Sequence, residues 1–200
     1  MDAAGYAGLD FIRIDNEHAW RQDASLEHMI RAGVLSDITV LMRVDRDNPY
    51  LIRKALELGA GGIIVPDVHS AEEAASVVAA SKFPPQGTRG YSGSCFSAGW
   101  QNQAGAPWIQ WSNTEPMIGV MIENPVAVEC KDEIAAVDGL DFVLFGPADF
   151  SMSLGLGKPD KNNPKVQDAI RKTAASVKKA GRHAMINPGL KDEEIKKYFE

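Results

Sequence analysis

Short apolar runs alternate along the chain with longer stretches that carry helix start and stop signals. Continuous apolar runs of this length, rich in β-branched and aromatic residues, are typical of strands that are buried on both faces. We therefore predict six strands, at residues 9–15, 39–44, 62–66, 117–122, 142–145 and 182–186.

The intervals between these runs contain recurring helix caps. Asn-Pro pairs at Asn48, Asn124 and Asn163 place a capping residue before a proline that suits the first helical position. Ser70 and Glu73, three residues apart, form a capping box. We predict helices at residues 25–32, 48–59, 70–80 and 163–180, one beginning at residue 124, and one starting at 190 and continuing to 200. A glycine ends three of them.

Six alternating strand and helix units predict a single α/β domain, residues 1–200, with a parallel sheet and helices outside it. An open doubly wound sheet and most of an eight-stranded barrel both fit this pattern. The first strand is not followed by a glycine-rich phosphate-binding fingerprint, which disfavours a dinucleotide-binding fold. In either architecture, functional residues gather at the carboxyl ends of the strands.

The interval 83–116 has no clear helical or strand period, and it contains Trp100, Trp108 and Trp111. Long irregular segments in compact domains are usually lids, binding loops or partner surfaces. The alternative is a loop held in place by its own aromatic side chains.

Composition and charge argue against several classes of function. The net charge is −6, which gives no electrostatic basis for binding nucleic acid or an anionic membrane. The chain has no apolar run of the roughly 20 residues that span a bilayer, and its first residues lack the pattern of a secretory signal. Cys95 and Cys130 lie outside any CxxC or Cys/His cluster, which is typical of reduced thiols. We therefore expect a cytoplasmic protein.

Two carboxylates follow predicted strands: Glu123 after 117–122 and Asp149 shortly after 142–145. The carboxyl ends of neighbouring parallel strands lie roughly 4.8 Å apart. Two carboxylates so close are costly unless a proton or a cation lies between them. Either residue alone would more often cap a helix. Together they predict a site for a hard divalent cation with positions left open for substrate.

Three more polar residues fall at strand ends: Asp15, His18 and Arg43. Arg43 offers a fork of donors for an enolate or carboxylate oxygen. His18 is a candidate for moving a proton, and Asp15 for orienting it. Taken singly, Arg43 is more simply a structural ion pair, His18 a loop histidine and Asp15 a turn residue. Their shared position favours bond making or breaking beside a carbonyl, through an enolate that the metal holds.

Six ordered segments between about residues 9 and 186 resemble the HpcH/HpaI aldolase family. They are Asp15-Asn16-Glu17-His18, Arg43-Val44, Leu58-Gly59-Ala60-Gly61-Gly62 with Val65-Pro66, Phe83-Pro84-Pro85-Gln86-Gly87-Thr88-Arg89-Gly90, Ile122-Glu123 and Gly146-Pro147-Ala148-Asp149-Phe150-Ser151.

This resemblance implies a (β/α)8 TIM barrel and a class II aldolase. Such an enzyme uses Mg, Mn, Co or Zn to cleave 4-hydroxy-2-oxo acids into pyruvate, or a related 2-oxo acid, and an aldehyde. It further implies that Glu123 and Asp149 bind the metal, that His18 is the base and that Arg43 stabilises the enolate. The Ala148 N–H would hold the substrate carboxylate. A homo-oligomer, a hexamer or trimer of dimers, is implied as well.

The chain departs from the family at two positions. Glu57 lies where the family usually has an aspartate thought to raise the basicity of the histidine, and its longer side chain puts that role in question. Met121 replaces a glutamine that contacts substrate, and a thioether cannot donate that hydrogen bond.

The predicted strands also number six where the resemblance calls for eight, and the first and last are the ones absent. Those two are neighbours in a closed barrel, and their absence would expose two sheet edges. We expect either a longer natural chain or a partner subunit over the gap, with residues 83–116 joining the assembly.

Two other functions stay open on the sequence alone. One is a citrate-lyase-β-like lyase that acts on a CoA thioester, although no basic cluster is evident for the CoA phosphates and the Asp15-x-x-His18 loop favours the aldolase. The other is a non-catalytic subunit that binds a 2-oxo acid.

Overall fold

The computed structural model describes residues 1–18, 24–46 and 48–187. All six predicted strands are confirmed, with ends that move by at most two residues. The strands are Phe11–Asp15 (β1), Thr39–Arg43 (β2), Gly62–Val65 (β3), Met117–Ile122 (β4), Phe142–Phe145 (β5) and His183–Ile186 (β6).

The strands form one sheet in sequential order, β1 to β6, and every neighbouring pair is parallel. A doubly wound sheet would reverse its order at a switch point, so that alternative is wrong. Sequential parallel strands curl in one direction, and the six form a half-barrel of the TIM-barrel type. Within the described residues, β1 pairs only with β2, and β6 only with β5. The two strands absent from the sequence pattern stay a prediction.

The described helices number nine, beside one 3₁₀ turn at Phe96–Ala98. They are Asp2–Tyr6 (α1), Ala24–Leu35 (α2), Pro49–Glu57 (α3), Ala71–Ser81 (α4), Ala106–Thr114 (α5), Pro125–Glu129 (α6), Lys131–Ala135 (α7), Pro147–Ser153 (α8) and Pro164–Lys179 (α9).

Several helix predictions need correction. Gly33 does not end α2. A Cβ at this position would lie 2.3 Å from Val40 Cγ2, so the glycine lets the helix approach β2 closely. The helix that begins after Asn124 is interrupted at Cys130 and becomes α6 and α7. Helices α1, α5 and α8 were not predicted. The helix predicted at residues 190–200 lies outside the described residues.

Alternation along the strands divides the core into two layers. Val40, Met42 and Ile63 belong to the larger layer, between the sheet and its helices. The inner face carries Leu41, Ile64, Met121, Phe142 and Leu144. A Cβ at Gly119 would lie 2.2 Å from the Phe142 ring, so the missing side chain makes room for that ring inside the curl. This apolar packing on the inner face of the sheet supports the polar residues at the strand ends.

Residues 83–116 are held in place by their own aromatic side chains. The rings of Phe83 and Trp108 lie 5.1 Å apart, and these residues pack with Cys95 and Ala98 in a separate cluster. Trp100 and Trp111 remain exposed. None of the described helices has the length and apolarity needed to cross a membrane.

Candidate active site at the carboxyl ends of the strands

The last residues of β1 and β2, Asp15 and Arg43, are paired in the strand register and joined by their side chains. Arg43 Nε donates to Asp15 Oδ1 at 3.0 Å, and Nη2 contacts Oδ2, so the fork is bidentate. Burial tends to lower the pKa of Arg43, but the hydrogen bond to Asp15 and the charges of the nearby carboxylates outweigh it and raise the pKa. Burial tends to raise the pKa of Asp15, but the bond to Arg43, the Glu17 amide and the charge of Arg43 together outweigh it and lower the pKa. Arg43 is therefore a fixed cation.

Glu17 is a site residue that the sequence analysis did not single out. Its Oε2 lies 2.8 Å from Arg43 Nη1, an ion pair without hydrogen-bond geometry. Burial raises the pKa of Glu17, and the charges of Asp15 and Asp149 add to that effect while Arg43 and His18 reduce it. The carboxylate therefore joins the acidic cluster at the strand ends. Only its position inside the segment Asp15–His18 hinted at this role.

His18 is the exposed member of the group, with 64% of its side chain accessible. Its Nε2 lies 3.6 Å from Glu17 Oε2, and its backbone N–H donates to Asp15 Oδ1 at 3.4 Å. We predicted that Asp15 orients the imidazole. The described contacts of Asp15 are with Arg43 and with the amides of Glu17 and His18, so they fix the backbone of the loop, and its effect on the imidazole stays a prediction. The imidazole is left accessible for a substrate.

Glu123 follows β4 directly and is only 5% exposed. Its Oε1 accepts a hydrogen bond from the Asp67 N–H at 2.8 Å, whereas Oε2 is buried and has no partner among the described residues. Burial raises the pKa of Glu123 to about 7; the Asp67 N–H opposes this shift, and the charge of Asp149 adds to it. A buried carboxylate oxygen without a partner is costly and calls for a proton or a cation.

Asp149 lies in the first turn of α8, which begins directly after Gly146. It is exposed, and its charge acts on both Glu123 and Glu17. Ala148 precedes it in the same turn, where helix geometry leaves a backbone N–H without an acceptor inside the helix. The fold therefore brings Asp149 and the Ala148 amide to the same edge as Glu123.

Glu57 is the predicted residue that the structure does not bring to this edge. It ends α3, which starts after β2 and runs back toward the amino end of β3, about 12 Å along the helix axis. The described ion pair of Glu57 is with Arg53, at 3.9 Å. Its catalytic role stays a prediction that the contacts within one chain do not support.

Two further residues complete the site. Met121 lies on the inner face of β4, with its Sδ 3.8 Å from Arg43 Nη1. Arg13 lies two residues before Asp15, and its buried Nη1 has no hydrogen-bond partner in the described part of the chain. Burial, together with the charge of Arg43, lowers the pKa of Arg13. Arg13 lies within β1, and this position gives no separate signal in the sequence.

The donor set fits a hard divalent cation. Among the described residues, no group of three or more His, Cys, Asp or Glu side chains is arranged to hold a metal ion. Two carboxylates with the remaining positions open are, however, a common arrangement for Mg²⁺. The unpartnered Oε2 of Glu123 is the observation that favours this arrangement. Glu123 and Asp149 would hold such an ion.

A half-barrel with acidic and basic side chains at its carboxyl edge is the arrangement in which barrel enzymes carry their active sites. The profile described as HpcH/HpaI aldolase/citrate lyase matches residues 1–192. The chain therefore belongs to the HpcH/HpaI aldolase/citrate lyase family, and this places it among the aldolases.

Individual relatives agree with this assignment. The 2-keto-3-deoxy-L-rhamnonate aldolase of Klebsiella pneumoniae is 34% identical over 92% of this chain and 68% of its own length. The hydroxypyruvate/pyruvate aldolase of Cupriavidus necator is 33% identical over 92% of this chain and 67% of its own. A family protein of Burkholderia cenocepacia superposes with a TM-score of 0.90 at 29% identity, over 99% of this chain and 78% of that one.

Proposed function

We propose that this protein is a metal-dependent aldolase that cleaves or forms 4-hydroxy-2-oxo acids, with pyruvate or a related 2-oxo acid as one fragment and an aldehyde as the other. The observation that carries the proposal is the buried, unpartnered Oε2 of Glu123, beside Asp149 and at the same edge as the fixed guanidinium of Arg43. The aldolase names of the relatives support the reaction class.

A divalent cation held by Glu123 and Asp149, Mg, Mn, Co or Zn, would supply Lewis-acid polarisation of the two adjacent oxygens of a 2-oxo acid. The Ala148 N–H, at the start of α8, would donate to the substrate carboxylate. These two contacts would orient the substrate at the strand ends.

Arg43 stabilises the charge that develops on the 2-oxo fragment. Asp15 already fixes its Nε and Nη2, so the guanidinium does not need to reorganise during the reaction. Its Nη1 lies 2.8 Å from Glu17 Oε2 in an ion pair, and the hydrogen bond it donates is to the Met121 sulfur, a weak acceptor. A substrate oxygen would replace that contact with a stronger one.

His18 moves the proton. In the cleavage direction it removes the proton of the C4 hydroxyl, the C3–C4 bond breaks, and the electron pair remains on the 2-oxo fragment as an enolate while the aldehyde leaves. The same imidazolium then returns the proton to C3, which regenerates the neutral base. The exposed position of His18 next to Glu17 supports this role.

An aldol and retro-aldol screen tests the proposal, with pyruvate and hydroxypyruvate as donors and a panel of aldehydes. We expect product after a divalent metal is restored, and none after chelation. Glu123→Gln should lower kcat/KM at least roughly 100-fold, because an essential carboxylate is lost. Asp168→Asn, a change at an exposed ion pair on α9, is the matched control and should leave kcat/KM unchanged.

Activity that survives both chelation and Glu123→Gln would refute the proposal. Consumption of a CoA thioester instead of a 2-oxo acid would favour the citrate-lyase-like alternative. Binding of pyruvate without turnover would favour a non-catalytic subunit.

A further inference from the structure

The backbone of Asp67 has a left-handed conformation, with a φ angle of +47°. The residue comes shortly after β3, at the same edge of the sheet as Glu123. An L-amino acid rarely adopts this conformation, because its Cβ then crowds the following carbonyl oxygen, although Asp and Asn tolerate it better than most. Strained backbone of this kind persists where the surrounding structure holds it, often at an active site.

The left-handed conformation directs two successive N–H groups to the end of β4. The Asp67 N–H donates to Glu123 Oε1 at 2.8 Å, and the Val68 N–H donates to the Met121 carbonyl oxygen at 3.2 Å. Successive N–H groups of an extended strand point to opposite sides, so a regular continuation of β3 could not make both bonds. The φ angle of Asp67 is one of the two rotations between these peptide groups, and its positive value lets both donors reach the same strand end.

The side chain of Asp67 is held from two sides. Asn124 Nδ2 donates to its Oδ1 at 2.9 Å, and Arg46 Nη1 donates to its Oδ2 at 3.0 Å. The same Nη1 donates to the Asp67 carbonyl oxygen at 2.8 Å, so Arg46 fixes both side chain and backbone. Asn124 is fixed in turn, because its Oδ1 caps α6 by accepting from the Ala127 N–H. The conformation is therefore maintained by residues that follow β2 and β4.

The bond from Asp67 leaves the Glu123 carboxylate held through one oxygen. Oε1 accepts from the Asp67 N–H, whereas Oε2 is buried and has no partner within the described part of the chain. A carboxylate fixed at one oxygen presents the other in a defined direction. Groups that hold a metal ligand in this way set its orientation and the affinity of the site.

We propose that Asp67 is a positioning residue, whose left-handed backbone orients the Glu123 carboxylate and leaves Oε2 free for a cation. Arg46 and Asn124 maintain that backbone conformation. Asp67 acts through Glu123 and not through contact with the substrate. The consequence for a cation rests on the proposed function, whereas the orientation of the carboxylate does not.

Calorimetric titration of the full chain with Mn²⁺ tests the proposal in three variants. Asp67→Ala removes the side-chain anchor and disfavours the left-handed backbone, so it should weaken Mn²⁺ binding roughly 10–100-fold, as loss of a group that supports a metal ligand does. Asp67→Gly permits the conformation without the anchor and should lose less. Asp67→Asn keeps the conformation and an acceptor for Asn124, so it should bind within about threefold of the parent.

Asp37→Ala is the matched control for backbone strain. Asp37 is exposed, also has a left-handed backbone, with a φ angle of +55°, and lies before β2 at the opposite edge of the sheet. Its replacement should lower the free energy of unfolding, as Asp67→Ala does, but leave the affinity for Mn²⁺ unchanged. Denaturant unfolding and calorimetry of both variants therefore separate positioning of the carboxylate from general destabilisation.

Hydrogen exchange of the residue 67 amide, followed by NMR in EDTA, tests the orientation without metal. The bond to Glu123 should protect this amide in the parent and in Asp67→Asn. We expect a protection factor at least roughly tenfold lower in Asp67→Ala, because the donor no longer points at the carboxylate.

Mn²⁺ binding by Asp67→Ala within about threefold of the parent would overturn the proposal and leave the proposed function intact. Equal losses in all three variants would also overturn it, because the charge of Asp67 and not its conformation would then be responsible. A parent that binds no Mn²⁺ would refute the proposed function instead. In that case the exchange measurement decides alone, and unchanged protection in Asp67→Ala would show that Asp67 does not orient Glu123.

Discussion

Gly146 leaves the space that the unpartnered carboxylate oxygen of Glu123 occupies. A Cβ at residue 146 would lie 2.3 Å from Glu123 Oε2 and 2.7 Å from Glu123 Cβ. The φ angle of Gly146 is −98°, which any residue adopts, so the requirement for glycine is steric. The end of β5 is therefore shaped around the end of β4.

Gly146→Ala tests this relationship. The added methyl group should displace the Glu123 carboxylate, weaken divalent-metal binding and lower the free energy of unfolding by about 1–3 kcal/mol, as overpacking does. Metal titration and denaturant unfolding measure the two effects. Gly90→Ala is the control, since its Cβ would meet nothing closer than 3.4 Å. Unchanged metal affinity in Gly146→Ala would contradict the proposed position of the metal.

The raised pKa of Glu123 makes stability depend on pH in the absence of metal. The folded-state pKa is about 7, above the ordinary value of 4.5, so the folded state binds more protons between these values. The free energy of unfolding should therefore fall as pH rises from about 4.5 to about 7, by up to roughly 3 kcal/mol.

Denaturant unfolding in EDTA, of the parent and of Glu123→Gln, isolates this effect from other titrating groups. The difference between the two proteins should change across that pH interval and remain constant below it. A difference that does not vary with pH would show that Glu123 is not the group responsible.

His18→Ala should keep metal affinity and lose most turnover, because general acid–base catalysis typically contributes roughly 10²–10⁴-fold. Retro-aldol kinetics and metal titration are the measurements. His28→Ala, at an exposed histidine on α2, is the matched control. Turnover within about threefold of the parent would remove His18 from the mechanism.

The shared position of the candidate site residues could be predicted, because the carboxyl ends of parallel strands meet at one edge of the sheet. The runs before Asp15, Arg43 and Glu123 are strongly apolar, so their ends, and the edge they share, follow from the pattern. Helix α8 was missed because it is short and follows a strand without a polar cap. Trp108 and Trp111 both lie on α5. The Trp111 side chain is exposed, so the apolar positions do not mark a single buried face of this helix.

Other features depend on three-dimensional contacts that no local pattern records. Glu17, just after β1, pairs with Arg43 at the end of β2. The Asp67 N–H, just after β3, donates to Glu123, just after β4. Glu57 shows the opposite case, because its motif position suggested a role that the direction of α3 does not support.

The exposed edges of the sheet predict association. β1 and β6 each pair on one side only among the described residues, and His183 and Ala184 of β6 are exposed. Unpaired strand edges are costly and readily recruit other chains. Light scattering should therefore give a mass above that of a single chain, and the family resemblance implies a hexamer. A stable and active monomer would contradict this expectation.

Exchange of the C3 protons of pyruvate in deuterated water tests the central claim most directly, because it needs only enolate formation and no knowledge of the aldehyde. Proton NMR should show loss of the methyl signal when a divalent metal is present, no loss after chelation, and strongly reduced loss in Glu123→Gln and His18→Ala. Pyruvate that binds to the metal-loaded protein without exchange, or exchange that persists in Glu123→Gln, would contradict the account.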